Sequence, residues 1–260
     1  MQGEKHAGMQ GGTEPLLLED RGTVRIATLN RPDVHNALDG RLTAMLLEAL
    51  RQADADERVR AIVLCGKGRS FCAGADTKEF ATLVPDNAGA VNRRADLTSS
   101  LHLAFSRLSK PVVAAVTGNA LGGGAGLALA CDMVVMAGNA RLGYPELRHG
   151  LVPAVVMANL VRQLGPKHAF ELVAMGEPID GARAHALGLA NRVVAEEEVL
   201  DAAIAMAARL AGWSAVAMST TKRLFHRMSD LPLEPALAVG RDANVIMRGF
   251  RDRGGSDAAA

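Results

Sequence analysis

The stretch from Val112 to Gly138 constrains the fold more than any other part of the chain. Its 27 residues carry a single charge, Asp132, and three adjacent glycines, Gly122, Gly123 and Gly124, stand in its middle. A run this apolar is long enough for a membrane helix by hydropathy alone. The glycines, together with Thr117 and Asn119, instead favour a strand over Val112 to Val116, a tight turn, a buried helix and a second strand over Met133 to Ala137, all inside a protein core. No membrane association is expected.

The same stretch suggests chemistry. The first N–H groups of a helix have no internal acceptor and sit at the positive end of its dipole, so a bare glycine turn there can receive an anion or a developing oxyanion. A tight turn with no further role is the plainer reading of three glycines. Nucleotide motifs do not fit: no Lys-Ser or Lys-Thr follows the glycines, and their register is not the dinucleotide G-x-G-x-x-G. Lys and Arg number 29 against 28 Asp and Glu, a balance that leaves no electrostatic footprint for nucleic acid or an anionic membrane. Any anionic ligand must be held locally. Cys65, Cys72 and Cys131 are odd in number, lack C-x-x-C spacing and have apolar neighbours. They read as reduced thiols of a cytoplasmic protein, with no metal ligand among them.

Strand-like and helix-like segments alternate over the first two-thirds of the chain. Val24 to Leu29 is followed by an amphipathic helix with Leu42, Met45, Leu46, Ala49, Leu50 and Ala53 on one face and Asp39 as its cap, then by Ala61 to Cys65. A helix near Val91 to Arg107 leads into Val112 to Val116. The alternation predicts an α/β architecture with parallel or mixed strands and functional loops after strand ends. Beyond Pro153 come helices over Ala154 to Arg162, Pro166 to Met175, Ala182 to Leu187, Glu196 to Leu210, Ala215 to His226 and Pro235 to Phe250, interrupted only by strand character at Arg192 to Val194. The Gly-rich, polar opening, residues 1–15, and the closing segment, 254–260, read as disordered tails.

A second loop, Ser70 to Lys78, follows the strand Ala61 to Cys65 as the glycine turn follows Val112 to Val116. If those strands are neighbours, N–H groups near Ala75 and Gly123 can converge on one oxygen. With these residues the chain resembles the crotonase, or enoyl-CoA hydratase/isomerase, superfamily from Val24 to about Phe250. The resemblance is carried by Asn30-Arg31-Pro32 with Asn36-Ala37-Leu38, by Phe71 to Asp76, by Gly122 to Asp132, and by Pro145-Glu146 ahead of Gly150-Leu151-Val152-Pro153. It implies a ββα spiral that binds acyl-CoA over residues 16–195, and a helical region over 196–253 that serves as lid or oligomer contact in a homotrimer or homohexamer. It further implies oxyanion donors at the backbone N–H groups of Ala75 and Gly123, with acyl-CoA contacts at Ala37 and along Ala73, Ala75, Asp76, Thr77 and Lys78. Coenzyme A would arrive as part of the substrate, and no separate cofactor is expected.

Family hydratases commonly carry one Glu three residues after the second glycine of the turn and another in the Pro-Glu element. This chain has Gly126 at the first place and Glu146 at the second, so Glu146 is the expected acid/base. Two readings stay open beside hydration of a 2-enoyl-CoA. A single Glu suits a Δ3,Δ2-enoyl-CoA isomerase, whereas Gly126 resembles glutaconyl-type hydratases, in which the glycine opens room for a branched or carboxylated acyl chain. A different class, a non-catalytic acyl-CoA binder, would bind without turnover. Asp132 reads as a structural cap, Tyr144 and His149 as flanks of Glu146, and Lys222 and Arg223 as a solvated helix face or as contacts to coenzyme A phosphates.

Overall fold

In a computed structural model describing residues 14–248, the apolar runs become strands wherever both their faces can be covered. Strands β1 (Leu16–Arg21) and β2 (Val24–Leu29) form a hairpin, followed by helix α1 (Gly40–Ala55), β3 (Ala61–Gly66), α2 (Ala88–Arg107) and β4 (Val112–Val116). Then come β5 (Asn119–Leu121), α3 (Gly123–Ala130), β6 (Met133–Ala137), β7 (Arg141–Gly143), α4 (Ala158–Gln163), α5 (Pro166–Met175), α6 (Gly181–Ala186) and β8 (Arg192–Val194). Helices α7 (Val199–Ala211), α8 (Ala215–Met228) and α9 (Leu233–Met247) complete the described chain.

A six-stranded sheet runs in the order β1-β2-β3-β4-β6-β8, with only β1 antiparallel to its neighbour. Every residue of β4 is buried, as are the first five of β3. Helix α7 covers the sheet through Val199, Ala203, Met206, Ala207 and Ala211. A smaller layer pairs β5 with β7 in parallel and is extended by bridges from Ser70 to Gly118, from Cys72 to Ala120 and from Leu142 to Ile179. The chain therefore passes repeatedly from a large-sheet strand to a small-layer strand and then to a helix, which is the ββα spiral. Asp39 caps α1 by accepting the Leu42 N–H at 2.7 Å.

Several boundaries differ from the sequence reading. Strand β1 was not expected, and neither were the three-residue strands β5 and β7, which exist only because each finds the other. The helix expected over Ala154 to Arg162 begins only at Ala158, because residues 154–157 close tight turns onto Val152 and Pro153. Two adjacent valines, Val155 and Val156, add little helical preference there. The helix expected from Glu196 opens as a 3-10 turn over Glu196–Glu198, and the Glu196 carboxylate accepts from Asn139 at 2.7 Å. The last described helix is α9, and the expected extension to Phe250, like most of the opening tail and the closing segment, lies outside the described residues. Among the described residues no single helix is long and apolar enough to cross a membrane.

Candidate active site

The loop after β2 is shaped by Asn36, which is fully buried at φ 56°, a left-handed conformation that Asn tolerates better than most residues. Its side-chain amide donates to the carbonyls of Lys67 (3.0 Å) and Ser70 (2.7 Å), and its Oδ1 accepts the Arg31 N–H at 2.8 Å. This ties the Asn30–Leu38 segment to the loop after β3. Three backbone bonds continue the seam: Ala73 N–H to the His35 carbonyl (2.9 Å), Leu38 N–H to that of Gly74 (2.7 Å) and Asp76 N–H to that of Leu38 (3.0 Å). Ala75, bridged opposite Leu38, has its own N–H turned away from this seam, with no acceptor among the described residues.

Strands β3 and β4 are parallel neighbours, so the loops leaving them lie side by side. Gly122, at φ 51°, turns the chain into α3 and donates its N–H to the Gly143 carbonyl at 2.8 Å. Gly123 opens the helix, and its N–H has no acceptor among the described residues. The two loops touch through their main chains. A Cβ on Gly74 would stand 3.2 Å from the Gly123 nitrogen, and one on Gly123 would stand 3.6 Å from the Ala75 nitrogen. A Cβ on Gly124 would collide with the Cys72 carbonyl, so any side chain there would force the loops apart. Two unpaired N–H groups thus sit in adjoining backbones, one of them at the positive end of a buried helix.

Glu146 reaches the same place from β7. Buried Tyr144 and then Pro145 lead into a short 3-10 turn, Glu146–His149, which Gly150 closes at φ 67°. The carboxylate covers the glycine turn: a Cβ on Gly122 would be 2.6 Å from Glu146 Oε1, and Oε2 is buried with no partner among the described residues. Burial raises the Glu146 pKa above the usual carboxylate value, an effect opposed by a backbone hydrogen bond and by the charge of His149. The Tyr144 hydroxyl is also buried and unpartnered, and burial together with the Glu146 charge keeps it neutral. His149 is exposed.

Gly126 does not open a space for substrate. A side chain there would meet the His102 imidazole, with Cε1 at 2.7 Å, and Val156, with Cβ at 3.0 Å and its carbonyl at 3.1 Å, so the protein itself fills the room the glycine leaves. His102, on the buried face of α2 between Leu101 and Phe105, was missed by sequence reasoning. A histidine at an apolar helical position was the only available signal, and it points to the core rather than to a site.

The remaining expected residues divide by exposure. Ala73, Ala75, Thr77 and Lys78 are exposed on the rim of the loop, whereas Ala37 is buried and its carbonyl accepts from Arg31 at 2.5 Å. The Asp76 side chain turns inward, pairing with Arg31 at 2.9 Å and capping the following 3-10 turn through the Lys78 N–H at 3.1 Å. Arg31 and that cap hold its carboxyl below the usual value despite the opposing cost of burial, which is the largest single influence. The expectation for Lys222 fails. It is neither a solvated side chain nor a phosphate contact but is buried, donating to the Lys110 carbonyl at 2.8 Å and to Asp132 at 2.6 Å, while Arg223 is exposed. Asp132 is structural: the same oxygen accepts the Val112 N–H at 2.7 Å, and His226 approaches its other oxygen at 3.2 Å.

Adjoining free N–H groups thus lie beside a half-buried carboxylate on a ββα spiral, an arrangement whose donors can receive a developing oxyanion. The family model "Enoyl-CoA hydratase/isomerase" matches residues 19–247, and the chain belongs to that family. It is 40% identical to a putative enoyl-CoA hydratase of Thermus thermophilus over 90% of this chain and 92% of that protein. A crystal structure of an enoyl-CoA hydratase from Mycobacterium smegmatis superposes with a TM-score of 0.86 at 34% identity, covering 93% of this chain and 92% of the other. A monofunctional enoyl-CoA isomerase from the same organism superposes at 0.74 with 33% identity, over 86% and 99% of the two chains.

Proposed function

We propose that the protein hydrates a 2-enoyl-CoA. The thioester carbonyl lies between the N–H groups of Ala75 and Gly123, which stabilise the enolate formed as water adds at C3, and Glu146 takes a proton from that water and delivers it to C2. Oxyanion donors of this kind contribute roughly 2.7 to 4 kcal/mol each. The observation that carries the reading is the pair of acceptor-free N–H groups in touching backbones, with the buried Glu146 oxygen beside them. Coenzyme A runs along the exposed rim of Ala73, Thr77 and Lys78, with the main chain at Ala37 as the facing wall, and no other cofactor takes part. Cys65, Cys72 and Cys131 are buried and unpaired, in keeping with a cytoplasmic protein. The apolar C-terminal helices assemble the protein as a homotrimer or homohexamer.

A second reading rests on the single carboxylate over the turn, since Asp76 is committed to Arg31. One Glu can carry a proton between C2 and C4, as in a Δ3,Δ2-enoyl-CoA isomerase. Product identification after incubation with crotonyl-CoA and with 3-hexenoyl-CoA separates the two. A 3-hydroxyacyl-CoA from crotonyl-CoA is the expected product. Turnover of 3-hexenoyl-CoA to the 2-enoyl isomer without any hydration would replace the hydratase reading by the isomerase one. Binding without turnover of either would leave an acyl-CoA-binding protein.

A further inference from the structure

Among the described residues, the buried side-chain atoms lacking a hydrogen-bond partner are both ring nitrogens of His102, the Tyr144 hydroxyl and Glu146 Oε2. Two of these three residues face the start of one helix. His102 is 8% exposed, and its Cε1, the atom bonded to both ring nitrogens, presses on Gly126. Glu146 lies against Gly122 in the same manner. The two glycines are one turn apart, joined by the 2.9 Å bond from the Gly126 N–H to the Gly122 carbonyl. A turn of helix rises about 5.4 Å, and Gly122, as the non-helical cap of α3, stands one turn before Gly126. Two hydrogen bonds through one water, each about 2.8 Å between heavy atoms, span a similar distance.

We infer that His102 is the second polar group of the hydration site, accepting a hydrogen bond from the attacking water while Glu146 removes that water's other proton. The inference rests on the hydratase reading and completes it, since a lone carboxylate fixes a water at only one point. In the step, the water oxygen bonds to C3 as the C2–C3 π pair moves toward the thioester oxygen. The proton taken by Glu146 is then delivered to C2. His102 gains and loses no proton. A neutral ring is required for this, and burial supplies it by pushing the His102 pKa down to about 4, which leaves one nitrogen as donor and the other as acceptor. Gly126 is glycine because the imidazole occupies the place of its side chain.

The test compares two reactions of each variant. Hydration of crotonyl-CoA needs a held water, whereas exchange of the C2 proton of butyryl-CoA in D2O needs only Glu146 and the oxyanion donors. His102→Leu should lower the ratio of hydration to exchange at least ~10-fold with little change in KM, and His102→Gln, which restores a polar tip, should recover most of that loss. A ratio in His102→Leu within about threefold of the parent would overturn the inference, as would equal loss of both reactions or a Gln variant no better than Leu. A parent protein that hydrates no 2-enoyl-CoA would instead overturn the hydratase reading and this inference with it. That outcome is distinguishable because it arises before any substitution.

Discussion

Glu146 shows how a residue's chemistry and its folding cost are linked. Its carboxyl is pushed above the ordinary value chiefly by burial, so the folded protein holds this proton at pH values where the unfolded chain has released it. Stability therefore falls as pH rises from the ordinary Glu range near ~4.3 through the raised value, and the full penalty remains above both. Glu146→Gln removes that penalty without changing shape. We expect the variant to gain stability over the parent as pH rises from about 4 to neutrality, read from urea midpoints, with no gain at the acid end. Its hydration kcat should fall by at least ~10²-fold, the usual contribution of a positioned acid/base. An active variant, or one whose relative stability is flat with pH, would remove Glu146 from the role. Gain in stability with loss of turnover is the pattern expected where a site keeps a poorly solvated acid for use.

At the scale of elements, α8 is tied to the sheet through Asp132, which pairs with Lys222, the one residue of α8 that is buried, and is approached by His226. The ammonium ties Asp132, at the start of β6, to the Lys110 carbonyl just ahead of β4. Removing one partner of a buried pair costs about 3–5 kcal/mol because the other charge is stranded. Lys222→Ala should lose stability on that scale in a urea titration while leaving KM for an acyl-CoA unchanged; a raised KM with unchanged stability would return Lys222 to the ligand. The sequence could not reveal this, because Lys222 and Arg223 are adjacent and which one turns inward depends on Asp132, ninety residues away. The legible elements were those with their own pattern. Strands β2, β4, β6 and β8 and helix α5 have the limits their apolar runs suggest. Strands β5 and β7 are too short to have a period, and β1, with a single buried residue, is defined by its pairing to β2. In the candidate site, the glycine turn, the Ala75 loop and Glu146 were legible as blocks of sequence. His102 was not, because an apolar helix face conceals a polar group whose packing neighbour, Gly126, lies on another helix.

For the whole molecule, the C-terminal third leaves apolar surface without cover in a single chain. No described residue of α9 is buried, and Leu233, Leu237, Val245 and Ile246 are 63–75% exposed, with Phe170 on α5 at 72%. Apolar surface of this extent is unusual on a monomer. Light scattering should return three or six times the chain mass of 27.2 kDa, and Leu237→Glu should shift it toward the monomer. A parent that is monomeric at micromolar concentration would contradict the assembly. The spiral itself has a consequence for how activity is acquired. The groups proposed to act, the N–H of Ala75, the N–H of Gly123, the Glu146 carboxylate and the His102 imidazole, come from four separate passes of the chain, brought together when β3 pairs with β4 and β5 with β7. A partly folded chain or a fragment therefore has nothing to catalyse with, however much secondary structure it contains. During refolding, turnover is expected to return no earlier than helical signal, because it requires long-range pairings that local helix formation does not.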